Sequence, residues 1–262
     1  MNPDAMFWLL SLTLLIGLFF VSGVKGFRAF ASFGISIVIL SVVVIPFILQ
    51  NYDPALVVIG AALPITAFVI YLTEGFNTLS HLSITLTIVN FLAISAVSWF
   101  AINTAHFTGI ISDEAAMVGG TLGVDLPHLL IASIMLSSLG ALIEMIVTQV
   151  GTVTELVRAN GHAGMDQIYR QAYTVGVIHL NSIINTLFLI YAGVLLPTVI
   201  VFSGSHNYLY GMLSYEPVSS EIMRMLVGTI GLIIAMPTTT RFAAYWLTKH
   251  PIATKSASIK RS

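Results

Sequence analysis

The chain alternates between long apolar stretches and short polar segments. Seven stretches hold about 20 mostly apolar residues each, the length an α-helix needs to cross the roughly 30 Å hydrocarbon core of a bilayer. Backbone polar groups in lipid must be satisfied within the segment, so these stretches are predicted to be helices. None shows the ten-residue alternation typical of a membrane β-strand. The predicted spans cover residues 6–24, 30–49, 55–72, 82–102, 129–149, 176–202 and 222–247.

Composition supports the same fold class. Charged residues make up 8% of the chain and hydrophobic residues 57%, and the mean hydropathy is +0.96. An average soluble domain is roughly one-quarter charged, so this composition excludes a soluble globular enzyme. We therefore expect an all-α, polytopic transmembrane helical bundle that occupies residues 1–262 as a single domain.

The positions of the basic residues predict the orientation of the bundle. Lys and Arg are enriched in the cytoplasmic loops of membrane proteins. With the N-terminus outside, all of the ten Lys and Arg residues except Arg224 fall at or near the cytoplasmic side. This distribution predicts an N-out, C-in topology, with residues 250–262 as a cytoplasmic tail. No Lys or Arg precedes the first span, which favours a retained helix over a cleaved signal peptide.

One acidic residue, Glu144, is predicted to lie deep within a span. Desolvation favours the protonated form of a carboxyl group, so an acid at this depth can take up and release a proton. It belongs to a stripe of small and polar residues on one face of the fifth span, which we expect to face neighbouring helices or a cavity. The stripe indicates either helix packing or a transport role. Its members are Ser133, Ser137, Gly140, Glu144, Thr148, Gly151 and Glu155.

The sixth span carries a second polar cluster. His179, Ser182 and Thr186 share a face, and Asn181 and Asn185 stack beside it. Unsatisfied amides are costly in lipid, so both Asn side chains are expected to point at protein or water. A hydrogen-bonded structural role is the alternative for the histidine. The candidates for proton coupling or a polar path are Glu144, Thr148, His179, Asn181, Asn185 and Thr186.

Other polar positions indicate structure. Thr87 and Asn90 in the fourth span are predicted to pack helices, as are Ser133, Ser137 and Gly140 in the fifth. Pro197 predicts a tilt or break near the outer end of the sixth span, and Pro237 a kink in the seventh, with hydroxyls of the following threonines bonding carbonyls. Residues 112–114 resemble a helix start. The polar segment 151–174 is predicted to extend the fifth helix and then to form a cytoplasmic surface helix.

Several chemistries lack a sequence signal. No glycine-rich nucleotide motif occurs, the net charge of −1 argues against nucleic-acid binding, and there is no cysteine. No His pair has metal-ligand spacing, so we expect no metal, no cofactor and no enzyme activity. One alternative stays open, because five predicted outer residues could converge on a metal: His106, His128, His206, Asp113 and Asp125.

Motifs along nearly the whole chain resemble one family. Residues 140–149 carry the run GALIEMIVTQ, residues 185–187 read Asn-Thr-Leu, and residues 191–193 read Tyr-Ala-Gly before Leu196 and Pro197. These sequences are similar to those of the YibE/F family of bacterial multi-pass membrane proteins. The resemblance implies a location in the inner membrane and places an acid at the position of Glu144.

Two departures from the family pattern refine this expectation. Many members carry an Arg-Asp pair where this chain has Val177 and Ile178, and the longer members have a sizeable extramembrane region after the first helix. The chain therefore resembles the shorter, YibF-like type, which implies a longer YibE-like partner or a homo-oligomer. A fainter similarity implies a SecD/SecF-like, RND-type membrane half. We expect a transport or export component, with a membrane scaffold or accessory subunit as the alternative.

Overall fold

The computed structural model describes residues 3–160, 163–204 and 208–250, and every regular element within these ranges is helical. Seven helical segments are long and apolar enough to cross a membrane, so the predicted all-α class and the span count are confirmed for this part of the chain. The elements are α1 (Pro3–Ser22), α2 (Val24–Ile39), α3 (Ile45–Leu49), α4 (Pro54–Glu74), α5 (Thr78–Thr104), α6 (Asp113–Leu122), α7 (Leu126–Ala159), α8 (Met165–Phe202), α9 (Tyr208–Leu213) and α10 (Glu216–Lys249).

The second span is built from two helices. A π-helical turn, Leu40–Val44, joins α2 to α3, so that the segment Val24–Leu49 is one continuous span. Pro46 follows the turn and has no backbone N–H, which removes one hydrogen bond of the regular α-helical pattern. A widened π turn is one way in which a helix accommodates such a loss.

The fifth and sixth spans are longer than their apolar stretches. α7 continues to Ala159, which confirms the predicted helix extension, but α8 already begins at Met165. The separate surface helix expected within residues 151–174 is therefore wrong, since the polar residues from 165 onward form the first turns of α8. α8 also continues through Pro197 to Phe202, so the expected break there is absent. Residues 251–262, most of the predicted cytoplasmic tail, lie outside the described residues.

Polar side chains cap α4, α5, α6 and α7 at their N-termini. Asp53 accepts a hydrogen bond from the Leu56 amide at 3.0 Å, and Asp125 accepts one from the His128 amide at 3.1 Å. The predicted helix start at residues 112–114 is confirmed, because the Ser112 hydroxyl accepts from the Ala115 amide at 3.1 Å. Such caps satisfy amides that have no partner within the helix.

α7 is the centre of the bundle. It packs against α4, α5, α8 and α10, and 56% of its most apolar stretch is buried. The buried share of the most apolar stretch is 6% for α8 and zero for α1, which packs mainly on α2. α8 therefore lies at one edge of the bundle and leaves most of its surface uncovered. This edge contains the candidate site.

Candidate functional site in the membrane-spanning region

The sequence predicts that the whole polar stripe of α7 faces neighbouring helices or a cavity, and the structure shows this for part of it. Ser133, Ser137 and Gly151 are half-buried, whereas Gly140, Glu144, Thr148 and Glu155 are exposed. The opposite face, which includes Leu142, Met145 and Ile146, is fully buried in the core. Glu144 and Thr148 are exposed, and Glu144 has no hydrogen bond or ion pair with any described residue. The chain therefore folds with its apolar face inward and leaves this carboxyl group at its surface.

A cavity of about 240 Å³ lies between α7 and α8 and brings part of the predicted site together. Glu144 and Ser137 line it from α7, and His179, Ser182 and Thr186 line it from α8. The Nε2 atom of His179 is buried and has no hydrogen-bond partner among the described residues. An acid, an imidazole and three hydroxyl groups thus border one space within the spans.

The structure places the remaining candidates outside this cavity. Asn181 and Asn185 lie on the exposed side of α8, and neither amide has a hydrogen-bond partner in the described part of the chain. Thr148 is exposed on α7 one turn beyond Glu144, and its carbonyl accepts from the Thr152 hydroxyl at 2.9 Å. Asn181, Asn185 and Thr148 are therefore separate from the group formed by Glu144, His179 and Thr186.

The small-residue positions of α7 serve different contacts. Ser133 accepts a hydrogen bond from the Arg224 Nη2 atom of α10 at 3.1 Å, and its packing role stays a prediction. Ser137 lines the cavity instead. Gly140 has open space beside it, because a Cβ atom added there would meet nothing within 4 Å. The predicted packing role of Gly140 therefore has no counterpart within the described chain.

Arg224 lies within α10 and is largely buried. Its Nε atom is 3.5 Å from the Glu221 carboxylate, and the two side chains are 17% and 18% exposed. The sequence predicts that Arg224 lies on the outer side, and its hydrogen bond to Ser133 connects this ion pair to the N-terminal end of the α7 stripe. The one cation that departs from the predicted charge pattern is thus neutralised within the fold.

A buried amide, Gln149, was missed by the sequence interpretation. Its Nε2 atom donates to the Ala172 carbonyl at 2.9 Å and to the Thr240 hydroxyl at 2.8 Å, so it joins α7 to α8 and α10. Gly176 leaves room for it, since a Cβ there would lie 2.8 Å from the amide oxygen. Gln149 is seven residues after Leu142, on the buried face, and this spacing was the signal available in the sequence.

Asn90, for which a packing role was predicted, joins α5 to α10. Its Nδ2 atom donates to the Leu86 carbonyl at 2.8 Å, and its Oδ1 atom accepts from the Thr238 hydroxyl of α10 at 3.1 Å. Thr87, predicted for the same role, is buried without a side-chain partner among the described residues. Thr238 also donates to the Ile234 carbonyl at 2.8 Å, in line with the hydroxyl–carbonyl bonds expected beside Pro237.

The predicted outer histidines and acids do not converge as a group of three within the described ranges. His128 instead contacts Asp53 at 2.5 Å and lies 3.7 Å from Asp125. These contacts join the capped N-termini of α4 and α7. His206, one of the five candidate ligands, lies outside the described residues.

Comparison with known proteins yields one relationship. Neither the curated proteins nor the solved structures contain a match to this chain. The YibE/F-like protein family matches residues 10–249, which include all seven spans in whole or in large part and every residue of the cavity between α7 and α8. The chain therefore belongs to the YibE/F-like family.

Proposed function

We propose that this protein is a component of a transport or export system of the inner membrane, and that Glu144 takes up and releases a proton during its cycle. The observation that carries the proposal is the shared cavity of Glu144 and His179 within the spans. Neither group is committed to a structural contact in the described chain: Glu144 has no partner, and neither has the buried Nε2 atom of His179. Both are free to exchange a proton.

The chemistry of the cavity suits proton transfer. The hydroxyls of Ser137 and Thr186 donate to the Ile134 and Ser182 carbonyls and can still accept hydrogen bonds, and about 240 Å³ accommodates several water molecules. A carboxyl group and an imidazole are common proton carriers in pumps and transporters. Water in this space can therefore carry a proton between Glu144 and His179.

The stripe on α7 supplies polar groups on both sides of Glu144. Toward the predicted outer side it reaches Ser133, which is bonded to Arg224. Toward the predicted cytoplasmic side it reaches Thr148 and then Glu155, which is paired with Arg158 at 2.7 Å. This arrangement supports a path that follows the surface of α7 across the membrane.

The experiment is proton flux into vesicles that contain the purified chain. A pH-sensitive dye inside the vesicles would report the flux driven by an imposed membrane potential. We expect Glu144→Gln to reduce the flux at least tenfold, because glutamine keeps the shape and cannot carry a proton. Glu74→Gln is the matched control, since it removes an exposed acid at the C-terminal end of α4, outside the stripe, and it is expected to retain the flux.

The scaffold alternative gives a different result. If the native chain carries no flux above that of empty vesicles, an infrared measurement decides whether Glu144 changes protonation at all. A carboxyl band that is already present near neutral pH, well above the range in which an ordinary glutamate protonates, and is missing from Glu144→Gln supports the proposal. If Glu144→Gln changes neither flux nor this band and alters only assembly, the protein acts as a scaffold or accessory subunit and the proton-coupling proposal is wrong.

A further inference from the structure

A long groove, here named the α5–α10 groove, runs between these two helices at the surface of the bundle. Its volume is about 710 Å³, within the roughly 300–1,000 Å³ of sites that bind small molecules. The lining residues of α10 extend from Ile234 to Trp246, and those of α5 from Thr78 to Ala93. At about 1.5 Å per residue the α10 stretch is about 18 Å long, whereas the hydrocarbon of one leaflet is about 15 Å thick. The groove therefore has the length of one leaflet.

The polar groups along the walls of the groove already have partners. The Thr85 hydroxyl donates to the His81 carbonyl at 2.9 Å. The Thr238 hydroxyl donates to Asn90 Oδ1 at 3.1 Å, and Asn90 Nδ2 donates to the Leu86 carbonyl at 2.8 Å. A polar solute would lose its hydration here for few unpaired groups, whereas a hydrocarbon chain needs none. The apolar wall consists of Leu82, Leu86, Val89, Ala93, Ile234, Phe242 and Trp246.

One end of the groove is closed by the two helices themselves. A Cβ atom added to Gly231 would collide with the Ile94 side chain, so α5 and α10 touch at this point. Ile94 follows Ala93, the last lining residue of α5, and lies near the middle of its span. The groove is therefore a pocket that ends inside the membrane and opens toward the lipid and toward the C-terminal end of α10.

Two imidazole groups lie at the open end. His81 lines the groove, and its Nδ1 atom is 2.8 Å from the Tyr71 hydroxyl, which leaves Nε2 for a ligand. The His250 ring stacks on the ring of Trp246, another lining residue, with the centroids 4.6 Å apart. This end of the groove lies on the predicted cytoplasmic side.

A lysine adds a full positive charge to the same end. Lys249 is seven residues after Phe242, so helical spacing places it on the face of α10 that lines the groove. Its Nζ atom donates to the Tyr245 hydroxyl at 2.7 Å, and it has no ion pair with any described residue. An ammonium group has three N–H donors, so Lys249 can still bind an anion.

The dimensions separate the candidate occupants. A helix of another protein is about 10 Å wide or more, so an 18 Å length of it occupies about 1,400 Å³. That is about twice the volume of the groove, whereas an extended hydrocarbon chain is much thinner than a helix. Basic pockets between membrane helices are known to hold the head groups of anionic lipids. An apolar pocket with a basic end therefore matches the two parts of such a lipid.

From these observations we propose that the α5–α10 groove binds one anionic phospholipid of the leaflet on the predicted cytoplasmic side. One acyl chain lies along the groove, and the phosphate lies beside His81, His250 and Lys249. The groove is separate from the cavity between α7 and α8 that contains Glu144, so this site stands or fails independently of the proposed function.

Fluorescence quenching of Trp246 tests the proposal, because this residue lines the groove. The full-length chain with Trp8→Phe and Trp99→Phe keeps Trp246 as its single tryptophan. This parent chain is placed in vesicles of equal amounts of phosphatidylglycerol and phosphatidylcholine, with brominated acyl chains on one lipid or on the other. Bromine quenches tryptophan only at close range, so the two samples report which lipid occupies the groove.

We expect a roughly fivefold preference for phosphatidylglycerol, the factor that one lysine typically contributes near anionic lipid. Lys249→Met should remove most of this preference. Lys25→Met, which removes an exposed cation at the N-terminal end of α2, is the matched control and should retain it. Equal quenching by the two lipids in the parent chain, or an unchanged preference in Lys249→Met, would overturn the proposal. Absence of quenching by either lipid would overturn it as well, since protein would then cover the groove.

A second pair of variants tests where the lipid lies. Val89→Phe fills part of the groove, and Leu63→Phe adds the same ring to α4 outside it. Val89 is 59% exposed and Leu63 57%, so neither change disturbs the core. We expect Val89→Phe to lower the preference for phosphatidylglycerol at least twofold and Leu63→Phe to leave it unchanged. Equal effects of the two variants would mean that the lipid does not lie in the groove.

Discussion

The polar residues of the spans form two sets with opposite surroundings. Asn90, Gln149 and Arg224 are buried or largely buried between helices, and each has hydrogen-bond or ion-pair partners on a neighbouring helix. Glu144 and Asn185 lie at the surface of the same bundle without a described partner. Residue type alone does not separate the sets, since Asn occurs in both. The first set holds helices together, and the second is available for contacts that the isolated chain does not make.

The largest expected effect concerns the buried ion pair. Arg224→Met would leave the Glu221 carboxylate without its cation in a largely buried place. Breaking such a pair typically costs about 3 kcal/mol or more. We expect this loss in the free energy of unfolding in mild detergent. Arg158→Met, which removes an exposed cation from a similar pair, is the control, and an equal loss for both variants would contradict the distinction between buried and exposed pairs.

Gln149→Leu tests the amide that joins three helices. The substitution keeps the volume but removes two hydrogen bonds, to Ala172 and Thr240. We expect the free energy of unfolding to fall by about 1–3 kcal/mol. Thr148→Val, at the neighbouring exposed position, is expected to change it by less than about 0.5 kcal/mol. A reversed order would mean that the outward face of α7 contributes more to the fold than the buried one.

The two asparagines give the closest comparison. Asn90→Leu removes the acceptor of the Thr238 hydroxyl and should destabilise the chain by about 1 kcal/mol. Asn185→Leu removes an amide that has no described partner. We expect no loss of stability for this variant in detergent, at dilutions where the chain is a monomer. The thermal unfolding midpoints of the two variants check the difference, and a drop for Asn185→Leu equal to that for Asn90→Leu would contradict it.

The smallest effect lies outside the spans. The carboxylate of Glu114 accepts a hydrogen bond from its own backbone N–H and a second, weaker one from the Ser112 hydroxyl. These hydrogen bonds hold the pKa of Glu114 below its ordinary value. The resulting stabilisation of α6 is fully present at pH values above the ordinary pKa of glutamate. It is lost as the pH falls through the lowered pKa of Glu114 in the folded chain. Hydrogen exchange of the α6 amides is expected to accelerate over that range. Glu114→Gln should remove this pH dependence, and an unchanged profile would exclude Glu114 as its source.

Much of the fold follows from the sequence. Apolar length fixed the seven spans, and cap residues such as Ser112 fixed helix starts, because both depend on local properties of the chain. The ends of α7 and α8 did not follow, since polar residues beyond the hydrocarbon core remain helical when the helix is already nucleated within it. Pro197 did not break α8 for a related reason, because long helices in membranes tolerate proline.

The candidate site was only partly predictable. Helical spacing placed Ser182, Thr186 and His179 on one face, and the structure adds Glu144 to them through the cavity. Spacing could not show which side of α7 faces the core. That choice depends on how α4, α5 and α10 pack, and this packing buries the apolar side and leaves Glu144 and Thr148 exposed. Tertiary contacts such as that of Gln149 with Thr240 are likewise absent from local sequence patterns.

The central claim is that the cavity between α7 and α8 beside Glu144 holds water in the membrane, whereas the apolar surfaces of α1 and α5 face lipid. Oxygen accessibility of spin labels in a lipid bilayer measures this directly, because oxygen is more concentrated in hydrocarbon than in water. Single labels are placed at two cavity positions, Ser137→Cys and Ile190→Cys, and at two exposed apolar positions, Leu12→Cys and Leu92→Cys. We expect labels at 137 and 190 to collide with oxygen several-fold less often than labels at 12 and 92. Equal accessibility at all four positions would contradict the account.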